Sequence, residues 1–449
     1  MKVCKFGGTS LASADQIKKV CDIVTSDPQR RLVVVSAPGK RTKEDIKVTD
    51  SLIMCAEKYI ENGEAEEELN AVVARYHSIA VELGLSEEIT KVIAADLKSR
   101  LSGTVSHKGK FMDLMKAAGE DNSAKLVAEY LKSKGYNARY VNPKDAGLFL
   151  SDEFGNARVL QESFENLKSL NNIDGIIIFP GFFGYSKSGD VATFPRGGSD
   201  ITGSILAAAV EAEVYENFTD VDSVFVANPN IISNPMAIHE LSYREMRELS
   251  YAGFSVLHEE TLEPVYRKGI PVCIKNTNNP SSPGTLIVKE RRNQNGPVAG
   301  IAGDTGFCSL YISKYMMNRE VGFGRKVLEI LENQGLSYEH VPSGIDNMSI
   351  VLQMKQMTEE KVESVINSIN KELMVDHIEI ERDLALVMIV GEGMRNSVGI
   401  AARATGALSE AGINIEMINQ GSSEVSMMFG VRSQDCQAAI KALYKEFFE

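Results

Sequence analysis

The chain has 449 residues, 43% of them hydrophobic and 24% charged, a globular composition that excludes a disordered or fibrous protein. With 48 basic and 61 acidic side chains the net charge is −13, so no concentrated cation awaits a phosphate backbone and nucleic acid is not an expected partner. The longest apolar run, Ile176–Phe183, is broken by Pro180 and Gly181, and Lys5 interrupts any leader peptide; no membrane partner and a cytoplasmic location are expected.

Through about residue 290, short β-branched runs alternate with helix-length segments. The expected strands are Val3–Phe6, Leu32–Ser36, Ala138–Val141, Gly175–Phe179, Val214–Thr219 and Pro271–Lys275. Most are near-continuous apolar runs, as strands buried on both faces should be, and Ser123–Lys134 and Ser199–Ala212 read as helices between them. The alternation predicts an α/β fold with a mostly parallel sheet and helices on both sides. Glu57–Leu101, charged and helix-favouring, reads as a helical excursion from that sheet. The cysteines (Cys4, Cys21, Cys55, Cys273, Cys308 and Cys436) form no CxxC pair and no metal-like spacing, so no metal site is expected in the protein. The Asn-, Pro- and Ser-rich stretch Asn278–Gly296, with one short strand inside it, reads as a linker.

Beyond the linker the chain repeats itself. Shifting the segment that starts at Val321 by 77 positions lays it on Val398 without a gap. Val321/Val398, Gly322/Gly399, Leu331/Leu408, Gly335/Gly412, Glu339/Glu416, Gly344/Gly421 and Ser349/Ser426 are then identical. Average residue frequencies would give about two such matches over that span. The first copy reads as a strand at Cys308–Ile312, a helix at Gly322–Asn333, strands at Leu336–Val341 and Met348–Leu352, and a helix at Glu359–Lys371. Two small α+β units side by side are expected.

Three clusters sit where expected strands end. Lys5-Phe6-Gly7-Gly8-Thr9-Ser10 closes the first strand and opens a helix, so backbone N–H groups and the Lys5 ammonium converge on one point. That suits a phosphate, and equally an ordinary capped turn; the spacing of a Walker loop is missing. Thr193-Phe194-Pro195-Arg196-Gly197-Gly198-Ser199-Asp200 is a second glycine turn into a helix. Ser199 or Asp200 would cap it, whereas the Arg196 fork is suited to bidentate capture of a carboxylate or phosphate. Thr219-Asp220-Val221-Asp222 follows a buried strand, where open α/β sheets bind ligands, and an Asx-turn accounts for it as well.

These clusters, with Val33–Pro38, Lys47-Val48-Thr49-Asp50, Gly119-Glu120 and Gly181-Phe182, occur in the order found in the amino acid kinase superfamily. The chain resembles the aspartate kinases of that superfamily over its whole length, and its C-terminal repeats are similar to paired ferredoxin-like ACT domains. The resemblance implies a three-layer α/β sandwich over 1–290, a first ACT domain over 304–383 and a second over 384–449 completed by strand 297–303. It implies phosphorylation of the L-aspartate side chain to 4-phospho-L-aspartate, the first step toward lysine, threonine and methionine, with ATP and Mg2+. A carboxylate nucleophile is already ionised at pH 7, so no general base is needed. Lys5, Gly7 and Gly8 would hold the ATP phosphates, with Thr219 and Asp220 lining the nucleotide site. Glu120 would take the substrate ammonium and Arg196 a carboxylate, with Thr49, Phe182 and Ser199 completing the pocket. Lys5, Asp200 and Arg196 would form the catalytic set, Asp200 positioning the lysine.

Three positions depart from the family pattern. Ala117 stands where the family has Ser, and Asn228-Pro229-Asn230 replaces Asp-Pro-Arg. Ser255 stands where some members carry a phosphate-binding lysine, and Lys275 is the expected substitute cation. Two further readings stay open: a kinase for another acidic amino acid, and a catalytically silent amino-acid sensor. The repeats carry no catalytic constellation, so an inhibitory end product, lysine foremost, is expected to bind the first one. The helix start at Phe323 and Gly324 would receive its carboxylate, Ser337 and Glu339 its ammonium groups, and Met317 its stem. The resemblance also suggests a homo-oligomer, at least a dimer, through the ACT domains; a purely dimerising role for the repeats is the alternative.

Overall fold

The computed structural model describes residues 1–449 apart from 104, 106, 196, 255, 258, 292–295 and 422–424. The chain forms two units. One comprises Met1–Val224, Ala237–Ser250 and Ser255–Asn293, the other Phe225–Met236, Tyr251–Phe254 and Gln294–Glu449. Where composition suggested an unbroken block over 1–290, two short segments leave it for the second unit; the Ile301 N–H, for instance, bonds the Val226 carbonyl at 2.7 Å.

The strands that build the main sheet and one hairpin of the first unit are β1 (Lys2–Phe6), β2 (Arg30–Val35), β3 (Ala138–Tyr140), β4 (Ile176–Pro180), β5 (Phe183–Tyr185) and β6 (Val191–Thr193). They continue with β7 (Val214–Thr219), β8 (Glu240–Ser242), β9 (Val272–Asn276) and β10 (Thr285–Val288). Eight of them form one sheet in the order β8-β10-β9-β7-β1-β2-β4-β3, parallel at every pairing except β9 with β10, while β5 and β6 make a separate hairpin. The six expected strands are all present, displaced by no more than a residue or two at their ends. The Asn- and Pro-rich run is a turn between β9 and β10, so β10 belongs to the sheet and the connection between units is shorter than composition suggested.

Register decides which face each side chain meets. Lys5 pairs with Asn217 and with Val34, whereas Phe6 pairs with Phe218, which in turn pairs with Lys275. Successive residues of a strand point to opposite faces, so Lys5 and Asn217 share one face and Phe6, Phe218 and Lys275 the other. On the Phe6 face lie α1 (Ala14–Thr25), α2 (Val48–Asn62), α3 (Glu66–Glu82), α4 (Glu87–Leu101) and α5 (Lys108–Ser133), burying Cys4, Phe6, Val33, Val35 and Phe218 in one apolar core. On the Lys5 face lies α6 (Gly198–Ala209). This is the three-layer arrangement expected.

Helix α5 is twice the length that the periodicity announced. It is buried on nearly every side, so it carries no single apolar stripe, and its start is fixed by a cap, His107 Nδ1 accepting the Lys110 N–H at 3.3 Å. Gly119 lets it approach the loop after β2: a Cβ there would stand 2.8 Å from the Ala37 Cβ.

The second unit holds β11 (Gly300–Ser313), β12 (Asn347–Gln353), β13 (His377–Val390), β14 (Met417–Asn419) and β15 (Ser426–Arg432), antiparallel in the order β12-β11-β13-β15-β14. Its helices are α7 (Phe323–Asn333), α8 (Glu359–Leu373), α9 (Ile400–Glu410) and α10 (Cys436–Phe448). Strands β11 and β13 run through both repeats. Gly300–Asp304 pairs with Val390–Leu386, then after a register shift Phe307–Ser313 pairs with Leu384–His377. The expected strand Leu336–Val341 does not form as a strand. The Gln356 side chain takes the Ser337 N–H at 3.1 Å, and only at Glu339, whose N–H reaches the Val351 carbonyl at 2.8 Å, does pairing with β12 begin.

Candidate active site

Lys5 ends on the α6 face because β1 alternates, and its side chain is 9% exposed with Nζ 2.5 Å from Asp200 Oδ1. Asn217 Nδ2 donates to the same oxygen at 2.8 Å. Asp200 is in the first turn of α6, its N–H on the Gly197 carbonyl at 2.9 Å. The carboxylate is therefore fixed by a strand neighbour and a helix start, and it holds the ammonium in place. A Cβ on Gly7 would lie 3.6 Å from Lys5 Nζ, which puts that ammonium beside the glycine turn. The turn itself opens only a short 3-10 segment, Gly8–Leu11; the α-helix begins at Ala14 behind a Ser13 cap, a correction to the expected direct entry. Gly39, after β2, donates its N–H to the Gly8 carbonyl at 2.8 Å, and a Cβ there would meet the Gly8 carbonyl carbon at 2.6 Å, so only glycine lets these loops touch.

Glu120, in α5, is 5% exposed, and its Oε2 is buried with no hydrogen-bond partner among the described residues. Burial pushes its carboxyl up to about 8, against the opposing pull of the Ala37 amide. Phe182 adopts a left-handed backbone with φ 74°, unusual for a residue with a bulky side chain. Its N–H donates to Thr202 Oγ1 at 3.0 Å and its carbonyl accepts the Phe194 N–H at 2.9 Å. Ser199 lies against Gly181, where a Cβ would stand 2.6 Å from the serine Oγ. Thr49 is half-buried in the first turn of α2, a helix anchored by the Val48 N–H on the Pro38 carbonyl at 3.0 Å. Thr219 Oγ1 donates to Asp220 Oδ1 at 3.1 Å, and Asp222 accepts from Asn276 Nδ2 at 2.8 Å.

Contacts thus join Lys5, Gly7, Gly8 and Asp200 in one cluster, and Gly181, Phe182 and Ser199 in a second. Lys275 is not brought to the first. It lies on the sheet face opposite Lys5, and its Nζ donates to the Ser282 carbonyl at 3.1 Å. Arg196 and Ser255 lie outside the described residues. Asn217, the second support of Asp200, was missed by sequence reasoning; a polar residue inside the buried run Val-Tyr-Glu-Asn-Phe-Thr was its signal.

In the second unit, Met317 and Phe323 are packed into the apolar core of the first repeat, and the Phe323 N–H is taken by the Glu320 carbonyl at 3.2 Å. Gly324 follows in the first turn of α7. Ser337 Oγ donates to Gln356 Oε1 at 3.0 Å. Glu339 accepts from the Tyr251 hydroxyl and, at 2.8 Å, from Gln353 Nε2. Among the described residues no group of three His, Cys, Asp or Glu side chains is placed to hold a metal, and no helix is long and apolar enough to cross a membrane.

A family model described as "Amino acid kinase family" matches residues 1–276, and one described as "ACT domain" matches residues 387–447. The chain is 61% identical over 448 residues to Aspartokinase 3 of Bacillus subtilis, covering 100% of this chain and 99% of that one. Its structure is similar to that of Clostridium acetobutylicum aspartate kinase, with a TM-score of 0.88 at 41% identity and full coverage of both chains. It is also similar over the full length of both chains to Escherichia coli aspartokinase III. The match is to that protein with aspartate and ADP at a TM-score of 0.82 and 26% identity, and with lysine and aspartate at 0.76 and 27%.

Proposed function

Since the chain belongs to the amino acid kinase family, and is an aspartate kinase catalysing the first step of the aspartate pathway, we propose how its own residues carry the reaction and its control. The observation that carries the reading is the buried, unpartnered Oε2 of Glu120. A carboxylate that burial makes costly and that the fold leaves without a charge partner, one oxygen free, is a receptor for a cation, and the ammonium of an amino acid supplies one. Phe182, Ser199 and Thr49 complete that pocket, and Arg196 takes a substrate carboxylate. ATP enters with Mg2+ held by its own phosphates and water, which calls for no protein cluster of the kind a resident metal needs. Gly7 and Gly8 receive the phosphates, Thr219 and Asp220 line the nucleotide site, and Lys5 meets the charge that develops on the transferred phosphoryl group. Lys275 is a weaker choice for a second cation, given the face it occupies. A coupled assay of ADP release with aspartate, glutamate and acetylglutamate tests the reading; release with glutamate alone would replace it.

Aspartate binding is expected to release a proton. The Glu120 carboxyl, raised to about 8, is mostly protonated in the free protein at pH 7, and an incoming ammonium favours the carboxylate. Calorimetric titration at pH 7 in buffers of different ionisation enthalpy should show release approaching one proton per aspartate, declining above pH 8 as the free site ionises. Affinity should weaken as pH falls below 7. Release of no proton at pH 7 would detach Glu120 from the ammonium.

The domain boundaries we assign are 1–290 for catalysis, less Phe225–Met236 and Tyr251–Phe254, which fold with the second unit, and 304–383 and 384–449 for the two ACT domains, with 297–303 as a strand of the second; the pairing of Gly300–Asp304 with Val390–Leu386 supports the placement of that strand. An end-product amino acid, lysine by preference, inhibits through the first ACT domain at Met317, Phe323, Gly324, Ser337 and Glu339, in a cytoplasmic homo-oligomer assembled through these domains. The lysine complex of the Escherichia coli relative supports the choice of effector. Binding would take Glu339 from Tyr251 and Gln353. Glu339→Ala is expected to raise the lysine concentration for half-inhibition at least about tenfold, the size of one charge-assisted contact. Unchanged sensitivity would move the effector site elsewhere.

A further inference from the structure

We infer that the buried ion pair of Asp113 and Lys116 fixes the length of the amino-acid pocket, so that the site takes aspartate and rejects the one-methylene-longer glutamate; this rests on the kinase reading above. Both residues lie on α5 ahead of Glu120, at spacings of seven and four that keep all three on one helix face. Their side chains are 1% and 17% exposed, and the charges stand 2.7 Å apart.

The pair reaches off its helix to grip the pocket wall. Asp113 Oδ2 accepts the Thr193 N–H and the Gly155 N–H, each at 2.8 Å. Lys116 Nζ donates to Thr193 Oγ1 at 3.2 Å and stands 6.0 Å from the centre of the Phe182 ring. Thr193 ends β6 and starts the segment that leads to Ser199, and its neighbour Phe194 holds the Phe182 carbonyl. The segment carrying Phe182 and Ser199 is therefore tied through its backbone to the helix carrying Glu120. A longer acid needs these two to part. Parting would strip a buried charge of its partners in a low-dielectric setting, so the pair resists where plain apolar packing would yield. With their hydrogen bonds directed to the protein, Asp113 and Lys116 are positioning residues rather than contacts to substrate.

The test compares kcat/KM for L-aspartate and L-glutamate in wild type, Lys116→Met, the charge-free double variant Asp113→Asn/Lys116→Met, and Lys116→Arg. Lys116→Met leaves Asp113 buried without its charge partner and is the variant most prone to misfold; the double variant keeps the volume with no lone charge. In the folded variants lacking the pair, the aspartate-to-glutamate ratio is expected to fall at least about tenfold, the worth of one methylene in a fixed pocket. The change should come through KM for the acid, with KM for ATP within about twofold, and Lys116→Arg should return the ratio toward wild type. An unchanged ratio in the folded double variant, with only its thermal stability lowered, would reduce the pair to a structural role. A wild type that used both acids equally would overturn the gauge and leave the kinase reading standing. Absence of any acid-dependent ADP release from the wild type would take both down.

Discussion

Lys5→Met is expected to fold and to lose a factor of at least about 10² in kcat, the cost of removing one preorganised charge from a developing anion. The nucleophile and the phosphoryl group it attacks are both negative, so the reaction depends on cations held in place before it starts. In the proposed mechanism Lys5 is such a cation. It leaves a buried strand, lies beside the Gly7 turn, and is fixed by Asp200 at 2.5 Å. Methionine keeps the volume and the apolar stem, and Asn217 still donates to Asp200, so the strand and α6 should stay together. Steady-state ADP release measured beside a thermal unfolding curve is the check. Near-normal turnover in a folded variant would remove Lys5 from the mechanism.

Glu120→Gln should lower kcat/KM for aspartate by about 10- to 10²-fold, because a hydrogen bond to a charged group contributes about 1.5–3 kcal/mol. The loss should appear in KM for aspartate and leave KM for ATP nearly unchanged. Stability gives an independent reading. The folded carboxyl sits at about 8 against an ordinary 4.5, so the folded state holds a proton that the unfolded chain releases across that interval. A carboxyl raised in this way favours folding most at the acid end, and wild type should lose stability as pH rises from about 4.5 to about 8, by up to several kcal/mol. Glutamine does not titrate, so this part of the slope should vanish, and at pH 8 the variant should be at least as stable as wild type. A variant that lost ATP affinity alone would refute the pocket assignment. Arg196→Lys belongs to the same experiment, since lysine lacks the planar fork that a carboxylate uses.

Local chemistry was enough for the frame. The runs ending near Lys5, Thr219 and Lys275 are strands because residues buried on both faces are mostly apolar, with Glu216 and Asn217 as paired exceptions, and the glycine pairs mark turns because little else fits there. The repeat was legible largely because each copy keeps glycine at the same left-handed turns, Gly322/Gly399 and Gly335/Gly412. What no local pattern carries is facing. Lys5 and Lys275 look alike in sequence, each near a strand end, and it is the register of β1, β7 and β9 that puts them on opposite sides of the sheet. Helix α5 hid its length because burial on all sides erases the period, and the short strand in the Asn- and Pro-rich run gave no sign that it joins the main sheet, where it pairs with the adjacent β9 but also with β8, far back in sequence. The same distance conceals the Asp113–Thr193 bond and the Ala37–Gly119 approach. Spacing along a chain orders residues on one element, whereas which charges meet across elements depends on packing, where a shift of one residue turns a side chain to the other face.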